Sequence, residues 1–134
     1  MGYGSPGPDV SLVIWKDTSE QALLDIARTT SLDWTDLDLT AFTSPGAKCA
    51  IVQLQFYIIS ITGGKAVLEV RKKGTTTTIN DFIVAGAKQG DLAQAELEGV
   101  AIVGLDAGQT IEYKTTITDT ININSMINVL GYIE

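Results

Sequence analysis

The sequence contains no histidine, and it has one cysteine, Cys49, and three prolines among its 134 residues. Histidine is the side chain that most often acts as a general base or metal ligand near neutral pH. Its absence excludes a serine–histidine triad and leaves the Cys49 thiol without an imidazole to activate it. A single cysteine cannot form an internal disulfide. We therefore expect a protein that is not an enzyme and that carries no cofactor and no metal.

The chain is also poor in basic residues, with nine Lys plus Arg against sixteen Asp plus Glu and a net charge of −7. Such a charge disfavours binding to nucleic acid and to anionic membranes. The only basic cluster, residues 71–73, has no interleaved aromatic residues, so we expect it at a solvated strand end or paired with an acidic neighbouring subunit. No apolar stretch is long enough to span a bilayer. Neither nucleic acid nor a membrane is an expected partner.

Strand patterns dominate what is present, because 45 % of the residues are apolar and they alternate with polar residues from about residue 34 onwards. Residues 18–28 have helical features, but the β character of the rest favours a strand or an irregular crossing segment there, with the strand preferred. The sequence predicts an all-β fold, a single jelly-roll-like antiparallel β-sandwich of about eight strands over residues 10–134. An extended N-terminal arm over residues 1–9 is expected to precede it.

The same pattern predicts where the chain turns and which side chains face the core. Gly63-Gly64 predicts a hairpin turn, because both glycines can adopt the positive φ that a tight turn requires. In the strand over residues 96–103, Val100 and Ile102 are expected to face the core. A shift in the alternation at residues 130–132 predicts a bulge or a change of neighbouring strand near the C-terminus.

The long strand over residues 47–62 has more apolar surface than one core needs. Its even positions form a continuous apolar face, and Tyr57, Ile59 and Ile61 make the end of its other face apolar as well. Apolar patches of this kind on a small domain usually mark a partner surface. We therefore expect an oligomer interface formed by these three residues together with Met126 and Ile133.

The N-terminal arm is predicted to contribute to the same assembly. Its glycines and prolines favour an extended chain, and such an arm on a small β domain can lie against a neighbouring subunit. Tyr3, Pro6 and Pro8 are the residues expected to dock there.

The carboxylates suggest two alternative sites, neither of which is favoured. Asp33, Asp36 and Asp38 could offer oxygen ligands to a hard cation, but their spacing does not match a calcium loop and a solvated edge is the simpler interpretation. Glu96 and Glu98 share one strand face, as a pair of glycosidase carboxylates could. An exposed acidic strand face is far more common.

Aromatic residues leave a carbohydrate-binding or host-adhesion function open as the alternative. They could form a platform on which sugars stack, although packing in the core or at an interface is the preferred interpretation. The residues considered are Trp15, Trp34, Tyr57, Tyr113 and Tyr132. A glycan therefore remains a possible partner.

The segments WTDLDLT at residues 34–40 and PGAK at residues 45–48, followed by a long alternating strand, resemble β-sandwich domains of tailed-bacteriophage virion proteins. The segments GLDAGQTIEY at residues 104–113 and VLGYI at residues 129–133 are similar to the same domains. The LxxG turn before the penultimate strand also resembles trimeric jelly rolls of the tumour-necrosis-factor type, although Gln109 stands where those have Asp.

This resemblance implies a virion location, on the capsid surface or in a tail appendage. It implies a homo-oligomer, with a trimer favoured, that acts as a capsid decoration or appendage subunit bound to a major capsid or appendage protein. It implies no catalytic residue.

Overall fold

A computed structural model of the chain describes residues 11–61, 63–85 and 96–134, with the backbone alone for residues 79–85. The predicted arm, including Tyr3, Pro6 and Pro8, lies outside these residues. Among the described residues no helix is long and apolar enough to cross a membrane. The strands are β1 (Val13–Arg28), β2 (Leu32–Asp38), β3 (Cys49–Ile61), β4 (Lys65–Lys72), β5 (Ile79–Ala85), β6 (Glu96–Gly104), β7 (Thr110–Ile117) and β8 (Ile121–Ile133).

The strands form two four-stranded antiparallel sheets. The front sheet has the strand order β1-β8-β3-β6, and the back sheet has the order β2-β7-β4-β5. Buried side chains from both sheets form one hydrophobic cluster. The expectation of an all-β chain with two antiparallel sheets packed as a sandwich is therefore confirmed.

The central strand β3 supplies the middle of the core. Its even positions, Ala50, Val52, Leu54, Phe56 and Ile58, are all fully buried, as the alternation predicts. Burying one large side chain of this kind stabilises the fold by about 2 kcal/mol relative to leaving it in water. The inner face of the back sheet completes the cluster with residues such as Leu37, Leu68, Val70 and Ile111.

Residues 18–28 belong to β1, which confirms the strand assignment for this ambiguous segment. β1 pairs with β8 along its whole length, but the register shifts in three places, between Trp15 and Glu20, Gln21 and Leu23, and Asp25 and Arg28. Each shift inserts extra residues in β1 and locally re-aims its side chains.

The predicted bulge near the C-terminus is also present. Ile51 of β3 pairs with Gly131 and Val52 pairs with Val129, so Leu130 is an extra residue in β8. The bulge reverses the alternation, and Tyr132 then packs against the core.

The prediction of a hairpin at Gly63-Gly64 is wrong. β3 hydrogen-bonds to β6 and β8, whereas β4 hydrogen-bonds to β5 and β7, so this turn carries the chain from the front sheet to the back sheet. Gly64 has φ of 87°, and a Cβ there would lie 2.2 Å from the carbonyl oxygen of Thr118. The glycine therefore permits both the left-handed backbone and a close approach to the connection between β7 and β8.

Candidate interaction surface

The outer face of the front sheet, called the front face from here on, carries the apolar surface that the core does not use. Seven large apolar side chains are exposed among the side chains that the structure describes. Six of them belong to β1 or β6, the two edge strands of the front sheet, and the seventh immediately precedes β1. The six are Val13, Trp15, Leu24, Ile26, Val100 and Ile102, and the seventh is Leu12, which pairs with Glu134 and so alternates to the inner side of the sheet together with Ile14.

The facing predicted for β6 is wrong. Val100 and Ile102 are 60 % and 56 % exposed, whereas Ala101 and Val103 are 6 % and 1 % exposed. The register explains the inversion, because Ala101 and Val103 pair with Val52 and Ala50, whose side chains point into the core. Directly paired residues share a face of a sheet, so Val100 and Ile102 lie on the front face.

Strand register places an apolar band across one end of the front face. Trp15 pairs with Gly131, Gly131 pairs with Ile51, and Ile51 pairs with Ile102, so one row crosses all four strands. The next row contains Val13, Ile133 and Cys49. We define the apolar band as Val13, Trp15, Ile51, Ile102 and Ile133. Neighbouring strands are about 4.8 Å apart, so the band is roughly 15 Å wide.

The band already forms a partly packed cluster. Ile51 points outward by its register, yet it is only 4 % exposed, while Trp15 at one end of the same row is 65 % exposed. Cys49 is a free thiol of intermediate exposure at the border of the band. The side chain in the middle of the band, Ile51, is therefore buried, whereas Trp15 and Ile102 at its two ends are exposed.

An amide ladder crosses the front face beside the band. Asn128 Nδ2 donates to Oε1 of Gln53 at 3.3 Å and of Gln55 at 2.9 Å. Gln55 Nε2 donates to Glu98 Oε1 at 2.6 Å, and Gln53 Nε2 donates to Glu98 Oε2 at 3.4 Å. The ladder thus holds the Glu98 carboxylate with two amide donors on the face itself.

Three of the five predicted interface residues lie on the front face, but not as one group. Met126 pairs with Gln55 of the amide ladder, Tyr57 lies beyond the ladder, and Ile133 belongs to the apolar band at the other end of the face. Ile59 is the unpaired residue of a bulge, because Ile58 pairs with Ile123 and Ser60 with Asn122. Whether these residues form an interface stays a prediction.

The assignment of Ile61 to that surface is wrong. The bulge at Ile59 shifts the alternation by one residue, so Ile61 is fully buried in the core, where it pairs with Ile121. A side chain without exposed surface cannot contact another subunit.

The outer face of the back sheet has the opposite chemistry, because cross-strand charge pairs cover it. Arg71 contacts Glu112 at 3.3 Å and its guanidinium stacks 3.9 Å from the centre of the Trp34 ring. Lys73 Nζ donates to Asp36 at 2.6 Å, and this carboxylate raises the pKa of Lys73. Arg71 and Lys73 of the basic cluster are therefore paired within their own chain.

The aspartates considered for a cation make separate local contacts. Asp33 accepts from the backbone N–H of Trp34, and Asp36 pairs with Lys73. Asp38 accepts from the backbone N–H of Thr40, which lowers the pKa of Asp38. Within the described ranges, no group of three or more His, Cys, Asp or Glu side chains could hold a metal ion.

Two hollows lie among the residues that the structure describes. One, of about 300 Å³, is lined by residues that include Thr29, Ser60 and Asn122, and the other, of about 280 Å³, by residues that include Arg71 and Lys72. Glu96 and Glu98 do not line either of them but lie exposed on the front face.

The aromatic residues do not form a single platform. Tyr113 is in the core and Tyr132 packs against it, while Trp34 lies on the back sheet under Arg71. Trp15 and Tyr57 lie on the front face, separated by the amide ladder.

Sequence reasoning missed the apolar surface of the two edge strands, of which it considered only Trp15, as an aromatic residue for sugar stacking or packing. The signal for Val100 and Ile102 was the alternation in β6, which was recognised but assigned to the wrong face. For Trp15, Leu24 and Ile26 the bulges of β1 hide any regular period. No protein-family model matches this chain, and no curated protein matches its sequence.

Proposed function

We propose that the sandwich is a jelly roll. Four antiparallel strand pairs support this, and they are β1–β8, β2–β7, β3–β6 and β4–β5. In a jelly roll these are successive pairs along one long antiparallel hairpin. When the hairpin is rolled up, alternate pairs lie in opposite sheets, which gives the two observed strand orders. The fold is shared by viral capsid and lectin domains, so it raises the probability of several functions without selecting one.

We propose further that the protein is a non-enzymatic structural subunit of a virion, a homo-oligomer that decorates a capsid or forms part of an appendage. The observation that carries this proposal is the unequal chemistry of the two outer faces. One face carries cross-strand charge pairs, and the other carries six exposed large apolar side chains among those described. An exposed apolar patch of a few hundred Å² on a small domain is often a functional contact surface.

Sedimentation velocity of the purified chain over a range of micromolar concentrations tests the assembly. We expect a discrete oligomer, and the trimer suggested by the resemblance predicts three times the mass of the 14.3 kDa chain. A monomer that persists to high micromolar concentration contradicts a homo-oligomeric subunit. Labelling of purified virus particles with an antibody against the chain tests the location, and unlabelled particles contradict it.

A glycan-binding adhesion module is the second candidate, and one arrangement on the front face favours it. Trp15 offers an exposed ring, and Gln53, Gln55, Asn128 and Glu98 offer hydrogen-bonding groups on the same sheet face. Sugars are commonly held by an aromatic ring together with polar side chains. A glycan array probed with the wild type and with Trp15→Ala tests this function. Binding that the substitution abolishes supports it, and an array without signal removes it.

A further inference from the structure

We propose that a second copy of this chain covers the front face, with the apolar band at the centre of the contact. This inference rests on the proposed assembly function and names the partner of that surface. The alternatives are a capsid protein of different sequence and a lipid surface. Three properties of the face favour a copy of the same chain.

The first property is area. The five exposed aliphatic side chains of this face and Trp15 together leave about 400 Å² of apolar surface in water, if a buried aliphatic side chain accounts for roughly 100 Å² and Trp for roughly 200 Å². One partner in a stable interface of standard size contributes about 800 Å², of which roughly 60 % is apolar. The exposed apolar surface of the front face is therefore close to the apolar share of one subunit in a stable dimer contact.

The second property is charge. β3, β6 and β8 contain no Lys or Arg, and the two basic residues of β1, Lys16 and Arg28, are paired with Glu20 and Asp25 within β1. The face therefore has no unpaired cation in its described strands to attract an acidic partner or an anionic lipid headgroup. It also needs no cation from a partner for Glu98, because two amide groups already donate to that carboxylate.

The third property is the amide ladder. A carboxamide both donates and accepts hydrogen bonds, so a surface rich in Gln and Asn can satisfy a second copy of itself without a complementary charge. Gln53, Gln55 and Asn128 are already ordered by bonds to one another, which lowers the entropy lost when a partner arrives. Two copies of this part of the face can therefore hydrogen-bond to each other, as identical surfaces do in a contact between identical chains.

Cys49 offers a native probe for this contact. It is the only cysteine in the sequence, and it borders the band between Ile133 and Gly104. In a contact centred on the band the thiol is covered, so its reaction with a small thiol reagent requires dissociation. We expect the reaction of the wild-type chain to slow about tenfold or more between dilute and concentrated solution, because the free subunit becomes the minor species.

Ile102→Glu and Trp15→Ser place a charge and a polar group at opposite ends of the row that crosses the band. Both positions are more than half exposed, so neither change disturbs the core. Thr116→Glu is the matched control, because it places the same charge on an outward position of β7 in the back sheet. Circular dichroism establishes that each variant is folded. We expect Ile102→Glu and Trp15→Ser to sediment as monomers with a concentration-independent Cys49 reaction, and Thr116→Glu to behave as the wild type.

The outcomes separate this inference from the function on which it rests. The wild type can be oligomeric and yet have a Cys49 thiol that reacts as fast as that of Ile102→Glu at every concentration. That result overturns the front-face contact but leaves the proposed assembly intact. The same holds if both front-face variants remain oligomeric. A wild type that is monomeric throughout overturns both proposals. If such a monomer binds neutral phosphatidylcholine vesicles or capsids, the face belongs to a different partner.

Discussion

Replacement of Gly131 by alanine should destabilise the front sheet more than any other single added methyl group at its outer face. A Cβ at this position would lie 2.4 Å from the carbonyl oxygen of Ile14 in the neighbouring strand β1. An ordinary contact needs about 1 Å more, and a strand backbone cannot rotate away as a flexible side chain can. Forcing an extra methyl into a packed site costs about 1–3 kcal/mol, and the rigid neighbour places Gly131→Ala near the upper end of that range.

Equilibrium unfolding in urea, followed by tryptophan fluorescence at one fixed protein concentration, measures the effect. The concentration is fixed because an assembling chain gains apparent stability as its concentration rises. A loss of about 3 kcal/mol corresponds to a melting temperature lower by roughly 10 °C in a domain of this size. The structure also predicts that the loss arises from sterics alone, because Gly131 does not have a positive φ.

Gly46→Ala is the matched control for Gly131→Ala. Gly46 also lacks a positive φ, but a Cβ there would meet only the Glu134 carboxylate at 3.5 Å, which is an ordinary contact. We expect its stability to remain within about 0.5 kcal/mol of the wild type. If Gly131→Ala is equally harmless, the close approach of β1 to β8 does not exist in solution and the front face is arranged differently.

Three further substitutions test the packing of the core and of one loop. Phe56→Ala removes a fully buried ring and should cost about 3–5 kcal/mol in the same urea experiment; a loss below 1 kcal/mol would be incompatible with its burial. Gln109→Ala removes an amide that donates to Thr43 Oγ1 and Ser44 O, both at 2.8 Å, and should lower the free energy of unfolding by about 1–2 kcal/mol. An unchanged midpoint of urea unfolding would mean that this loop contact is absent. Burial raises the pKa of Tyr113 above its ordinary value of 10.0, with a smaller contribution from Asp25. The folded state then holds this proton more tightly than the unfolded state, so stability should fall as the pH rises above 10, and Tyr113→Phe should remove that part of the fall.

The sequence allowed the central strands to be predicted well for a simple physical reason. β3, β4, β7 and β8 each hydrogen-bond to strands on both sides, and their inner faces are filled by residues such as Leu54, Leu68, Ile111 and Ile127. When such a strand alternates with a period of two and has large apolar residues on one face only, that face must point into the core. The bulge at Leu130 was also visible, because it interrupts this period inside an otherwise regular strand.

The connection after β3 shows what local sequence does not contain. Gly63-Gly64 is compatible with a tight hairpin and with a sharp crossing between sheets, since both need the same backbone freedom. The choice depends on which strands hydrogen-bond to β3, and these are β6 and β8, more than 30 residues away in the chain. Only that long-range pairing distinguishes a turn within one sheet from a turn between two.

The error in β6 concerns the candidate surface directly, because in the middle of this strand the larger residues face outward. Val100 and Ile102 are larger than the Ala101 and Gly99 positions that interleave with them, so hydrophobicity alone places them in the core. The pairing with β3 decides otherwise. Near its other end the same strand has Glu98 at an outward position, so β6 accommodates a charged residue on that face without losing its structure. The core therefore does not require Val100 and Ile102 to be apolar. A partner that excludes water from the front face does require it, and this is the physical reason to look for the function at that face.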